Sequence, residues 1–283
     1  MPGAFVRERI RVNSPIVSKL GLHKGKVVLA VVAVAAVLAW NLARDSLRTA
    51  DVPKDKTDKP AVTVTPAAAR PAAQGGAGPK FDFYLLAMTV HAAFCADGHT
   101  REPECRMKAL RPLVIHGLWP ENLKPRTYPH DCAAPPLALE DSLALELEPF
   151  MPGMADGLHQ HEWREHGGCS GLDDDQYFRG TLELARALDA ALSARLTTLA
   201  GQETDAATLR GAAESFSPGI GRTFTLHCRT LRGSGGRPVL MEVRQCVDND
   251  GPGGAPGTLL ACAAVERRDQ GCGAGFLIQG RGR

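Results

Sequence analysis

Gln160-His161-Glu162-Trp163-Arg164-Glu165-His166-Gly167-Gly168-Cys169 and, earlier in the chain, Val114-Ile115-His116-Gly117-Leu118-Trp119-Pro120 decide how this sequence is read. Together they place three histidines, four glutamate or tryptophan side chains and a half-cystine candidate in two short windows. Two imidazoles can take and give a proton near neutral pH. A third, as a cation, and a carboxyl group can hold a charged transition state. No metal or cofactor is needed for that chemistry. The second segment is expected to be a helix, and positions i, i+1, i+4 and i+5 of a helix share a face. That groups His161, Glu162, Glu165 and His166, with His116 arriving from a neighbouring strand. A purely structural network is the plain alternative. It is disfavoured because buried imidazoles and carboxyls need partners, and so many crowded together point to a site.

Outward from these windows, the chain is divided by composition. It has 283 residues, 44% of them hydrophobic, and a formal net charge of +2. Residues 1–26 are strongly basic (Arg7, Arg9, Arg11, Lys19, Lys24, Lys26 against Glu8), and residues 44–79 are mildly so, which leaves 80–283 net acidic. An acidic domain is no general polyanion binder; it would hold nucleic acid through a local site, with a modest salt dependence. Val27–Trp40 is an unbroken apolar run, extended by Asn41-Leu42-Ala43. With its basic lead, 27–43 reads as a secretory signal core or a membrane anchor, the N-terminus inside and the rest exported. The long basic lead and the poor small-residue site at Asn41 favour an anchor, so a membrane tether is expected. Residues 44–79, rich in Ala, Pro, Lys and Asp, read as a linker.

All eight cysteines (Cys95, Cys105, Cys132, Cys169, Cys228, Cys246, Cys262, Cys272) lie in the exported part. An even number behind an export signal argues for four disulfides in an oxidising compartment. A zinc site built from His159, His161, His166 and Cys169 is the competing use of that cluster.

The domain is expected from Lys80 to the end. Phe81–Thr89 reads as a buried strand and Leu113–Ile115 as a strand delivering His116. Pro135–Phe150 is helical in part. Gln176–Leu199, with apolar residues at helical spacing, is the clearest helix. Arg222–Cys228, Val239–Cys246 and Thr258–Cys262 read as strands, with a Gly251–Gly257 loop between the last two. Helices and strands that do not alternate regularly indicate an α+β fold.

Both motif segments resemble the active-site signatures of the ribonuclease T2 family: His116–Pro120 the first, His161–Cys169 the second. Phe81–Met88 with Phe94-Cys95, Tyr128-Pro129 before Cys132, and Tyr177-Phe178 are similar as well. So is the C-terminal quartet of cysteines. The resemblance implies an antiparallel sheet with flanking helices, stabilised by disulfides, in a secreted, metal-independent endoribonuclease. It implies pairings of Cys95–Cys105, Cys132–Cys169, Cys228–Cys272 and Cys246–Cys262. It implies His166 as base toward the ribose 2′-OH, His116 as acid toward the leaving 5′-oxygen, His161 on the phosphate, and Glu162 on the pentacoordinate state. Single-stranded RNA is the expected partner and DNA, lacking the 2′-OH, cannot react. Trp119 and Tyr128 are candidate base-stacking residues, Trp119 having core packing as its alternative. Glu121 matches a purine-contacting position. Trp163 reads as a core anchor, and His91, His99, His130 and His227 as surface or structural. A monomer is expected. The Ala/Arg/Gly-rich composition suggests a bacterium, hence a periplasmic or extracellular location.

Two departures stand out. Glu165 occupies a position where the family usually carries lysine, placing an anion beside a developing dianion. Arg164 beside it would point about 100° away on an ideal helix. Val90 stands where a tryptophan is usual, and His91-Ala92-Ala93 replace a Ser-Pro-type stretch. Reduced activity follows from the first departure. A catalytically impaired T2-like protein that holds RNA or a nucleotide is the second reading.

Overall fold

The computed structural model describes residues 81–107, 111–124 and 127–280. The basic segment, the apolar run at 27–43 and the linker at 44–79 lie outside the described residues. Among the described residues no helix is long and apolar enough to cross a membrane.

The element order is β1 (Phe83–Val90), α1 (His91–Ala96), β2 (Leu113–Glu121), α2 (Asp141–Leu147), α3 (Leu158–Glu165), α4 (Asp174–Thr198), β3 (Glu203–Thr204), α5 (Ala206–Phe216), β4 (Phe224–Thr230), β5 (Pro238–Val247) and β6 (Phe276–Leu277). One sheet runs β2-β1-β5-β6-β3, and β4 also pairs with β5. Its pairings are antiparallel apart from the Val239–Leu277 contact of β5 with β6. The result is the α+β class, with helices segregated from the strands rather than alternating with them.

The helix α4 shows how local sequence sets an element. Asp173 accepts from the Gln176 amide at 2.7 Å, and the Gln176 side chain accepts from the Asp173 amide at 3.3 Å. This capping box satisfies two amide groups the first turn would otherwise leave open. Phe178, Leu182, Ala185, Leu188, Leu192 and Leu196 then recur on one buried stripe, and that stripe packs against one face of the sheet with Leu86, Met88, Ile115 and Val243. The opposite face carries a smaller cluster of Phe83, Leu85, Cys246, Cys262 and Val265, against which Trp119 packs.

Two β-bulges interrupt this pattern, and both matter for the site. On β2, Gly117 pairs with Ala87 and Ile115 with Met88, so His116 has no partner. On β5, Glu242 pairs with His227 and Leu240 with Cys228, so Met241 is the extra residue. A bulge re-aims the side chains beside it. Here Ile115 and Leu118 both reach the main core, while His116 turns toward the Trp119 side of the sheet, where Glu242 also projects.

The four disulfides pair as the resemblance implied: Cys95–Cys105, Cys132–Cys169, Cys228–Cys272 and Cys246–Cys262. Two elements differ from expectation. Thr258–Cys262 is no strand: only Leu259 bridges, to Val247, and a 3-10 turn starts at Cys262. The helix expected over Gln160–Cys169 starts at Leu158 and stops at Glu165. His166, at φ −127° and ψ −51°, has left it, because the Gly167-Gly168 pair that follows offers no side chain to continue a packed face.

Candidate active site

The site forms where the bulged part of β2 meets the C-terminal end of α3. Gly117 makes the approach possible: a Cβ there would overlap the Glu162 carboxylate and crowd the Trp119 indole nitrogen. With that space open, Trp119 Nε1 donates to Glu162 Oε2 at 2.9 Å, and Glu162 is 1% exposed. Its other oxygen lies 3.8 Å from His116 Nε2. Trp163 anchors α3 from beneath, buried, its indole donating to the Pro135 carbonyl at 2.9 Å. Tyr177 on α4 donates its hydroxyl to the Leu118 carbonyl, which ties β2 to the long helix.

Two imidazoles pack near the Trp119 ring. His116 lies 5.1 Å away on centroids and His166 5.6 Å. Their surroundings are opposite. Burial works against a charge on His116, but Glu242, hydrogen-bonded at 2.7 Å, and then Glu162 outweigh it, so its pKa is raised. Burial pushes the pKa of His166 down to about 4, and the nearby His161 and His116 add to that. Its Nδ1 is buried without a hydrogen-bond partner. Burial lifts Glu162 to about 7, as expected for a carboxyl in a dry pocket. Burial would raise Glu242 too, yet His116 and Arg244 hold it down at about 2.

His161 sits at the rim, with Arg164 Nη2 3.2 Å from its Nδ1 and Glu165 Oε1 at 4.0 Å. Arg164 also reaches Glu165 Oε1 at 3.4 Å. Its guanidinium therefore folds back over the helix end, although its Cα direction points away. A cleft of about 760 Å³ opens beside the site, lined among others by His116, His161, His227, Glu242 and Arg244. The loop bearing Tyr128 is held to the helix end by the Asp131 amide, which donates to the Glu165 carbonyl at 3.0 Å, and by Cys132–Cys169.

Residues 81–253 match the model of the ribonuclease T2 family. The chain belongs to the ribonuclease T2 family. Its activity is that of a T2-type endoribonuclease. It is 28% identical over 187 residues to Ribonuclease 1 of Arabidopsis thaliana, spanning 61% of this chain and 78% of that protein. It is 29% identical over 139 residues to Ribonuclease I of Escherichia coli strain K12, spanning 36% of this chain and 52% of that one. A variant of RNase MC1 solved with 5′-UMP superposes with a TM-score of 0.55 at 25% identity, covering 70% of this chain and 99% of that one.

Within this T2 framework, His116, Glu162 and His166 converge as a group around Trp119. His161 faces Arg164 and Glu165 at the rim instead of sharing their inner face. The zinc alternative falls, because Cys169 is disulfide-bonded to Cys132 and has no thiolate to offer. Glu121 is committed elsewhere: Arg267 Nη2 lies 3.0 Å from its carboxylate, both side chains 16% exposed. Tyr128 is 41% exposed, its ring 5.4 Å from that of His130. His91 is buried against Glu104 at 3.0 Å and is structural, whereas His227 lines the cleft.

Sequence reasoning missed Glu242 and Arg244. The signal was present but faint: two charges at i and i+2 in an otherwise apolar strand share a face, and nothing local says that the face belongs to His116.

Proposed function

We propose that this T2 ribonuclease cleaves single-stranded RNA by metal-independent transphosphorylation, with His166 as general base and His116 as general acid. His166 takes the 2′-OH proton and the oxygen attacks the adjacent phosphorus. His116 protonates the departing 5′-oxygen, and a 2′,3′-cyclic phosphate remains, to be hydrolysed slowly to a 3′-phosphate. Glu162, protonated up to about pH 7, donates a hydrogen bond to a phosphorane oxygen as a neutral acid. His161 contacts phosphate from the rim, and Tyr128 with the exposed edge of Trp119 receives bases, with weak base preference.

The opposite environments of the two imidazoles near Trp119 support this reading most. Acid–base catalysis in one step needs one imidazole charged and the other neutral. The sign follows from the shifts. Activity rises as pH climbs through about 4, where His166 becomes neutral. It falls as pH climbs through the raised pKa of His116, and loss of the Glu162 proton near 7 steepens the same limb.

The test is incubation of the purified, oxidised chain with single-stranded RNA and matched DNA in the presence of EDTA. The expected result is cleavage of RNA alone, leaving 2′,3′-cyclic phosphate ends. Folded protein that binds RNA without cutting it supports the impaired-binder reading, which Glu165 favours. Four disulfides and the apolar run at 27–43 support a location outside a membrane, with that run as tether or signal. Thermolytic release or retention of the chain in a membrane fraction tests that part.

A further inference from the structure

We propose that Glu242, seated by Arg244, is the positioning residue for His116: it fixes the imidazole with its proton on Nδ1 and aims Nε2 into the cleft. The inference deepens the proposed acid role of His116 and rests on it.

The geometry is a chain of three groups. His116 Nδ1 lies 2.7 Å from Glu242 Oε1. Arg244 donates from Nε to Glu242 Oε2 at 2.8 Å, and its Nη2 lies 2.6 Å from the same oxygen. A carboxylate only accepts, so the Nδ1 that meets it carries a proton. The exchangeable proton is then the one on Nε2, on the side facing Glu162 at 3.8 Å. Both oxygens of Glu242 are occupied and its side chain is 13% exposed, which leaves it little freedom. Arg244 is fixed in turn by lying over the Trp119 ring, its guanidinium carbon 5.0 Å from the centroid. The bulge at Met241 turns Glu242 toward the bulge at His116. An imidazole on a bulge, unpaired in its own ladder, needs such an external hold.

The charges facing His116 come from every element packed on it: Glu242 and Arg244 from β5, Glu162 from α3, and His166 beyond its end. His227 from β4 faces Arg244 and Glu242. Glu242 favours the cation, Glu162 adds to it only when ionised, and Arg244 opposes it. Removing Glu242's charge and removing Arg244's charge therefore act on His116 in opposite directions. A merely structural pair would not produce that difference in sign.

The experiment uses the full chain with Glu242→Gln and Arg244→Gln. It reads kcat/KM against pH on single-stranded RNA, and the proton titration of the His116 ring by NMR. In Glu242→Gln, His116 titrates at lower pH and the alkaline limb follows it. The loss is about tenfold near pH 7.5 and shrinks toward pH 5. In Arg244→Gln, His116 titrates at higher pH while kcat falls through misaiming. Unchanged His116 titration in both variants overturns the proposal. If Glu242→Gln does not fold, an unchanged or lowered titration in Arg244→Gln overturns it alone. If the His116 titration moves and the alkaline limb does not, Glu242's hold on His116 stands and the assignment of His116 as the acid fails.

Discussion

The strand side and the helix side of this site hold the same kind of side chain under opposite conditions. On the strand side, His116 sits on a β-bulge, hydrogen-bonded to an ionised carboxylate that is itself held by an arginine. On the helix side, His166 follows the last turn of α3, half-buried, with imidazoles for neighbours and its Nδ1 buried and unpartnered. One environment stabilises the imidazolium and the other excludes it. The difference teaches that two histidines acquire different roles from what surrounds them, since their side chains are chemically identical. Trp119 packs near both rings, and its indole nitrogen fastens Glu162 beside His116.

Removing either imidazole should break the comparison outright. His116→Ala and His166→Ala are each expected to lower kcat on RNA by about 10²–10⁴-fold, measured on folded protein; near-normal turnover in either would remove that residue from its role. Gly117→Ala acts on the ground between the two sides. The new methyl would displace the Glu162 carboxylate and the Trp119 edge, so we expect a loss of about 10²-fold with the fold retained by circular dichroism. Full activity there would mean that the Glu162–Trp119 contact is dispensable. Opening Cys132–Cys169 with a double serine substitution loosens the helix side alone. It should lower unfolding free energy by about 2–5 kcal/mol in denaturant titration, and below that transition it should impair His166 chemistry more than the titration of His116. An equal effect on both imidazoles would contradict the division drawn here.

The smallest effect is expected at the rim. Glu165 places a carboxylate near His161, partly balanced by Arg164. Glu165→Lys should raise the rate by about three- to tenfold, because the cation replaces an anion near the developing charge and releases Arg164. A rate that stays level or falls would show that Arg164 already supplies what a lysine would.

Much of the site could be read in the chain because its parts are short-range. His161, Glu162 and His166 lie within six residues, so any local fold keeps them close. The capping box at Asp173 and the apolar stripe of α4 are likewise written locally. The end of α3 was less legible: periodicity runs on through His166, and only the backbone at His166 and the packing of Gly167 against Trp163 stop it. The partner of Glu121 was illegible for a related reason. The motif position of Glu121 pointed to a base, while its partner, Arg267, is remote in sequence.

The sequence by itself determined the α+β class, the two motif windows that carry the family resemblance and the number of half-cystines, because these follow from periodicity and residue spacing. Only the tertiary structure decided how the two histidines differ. Bulges on β2 and β5 bring Glu242 and Arg244, far downstream, against His116, whereas at His166 burial and neighbouring imidazoles outweigh the one nearby carboxylate, Asp131. Protonation state depends on solvent access and on charges within a few ångströms, and those distances exist only once the sheet has closed.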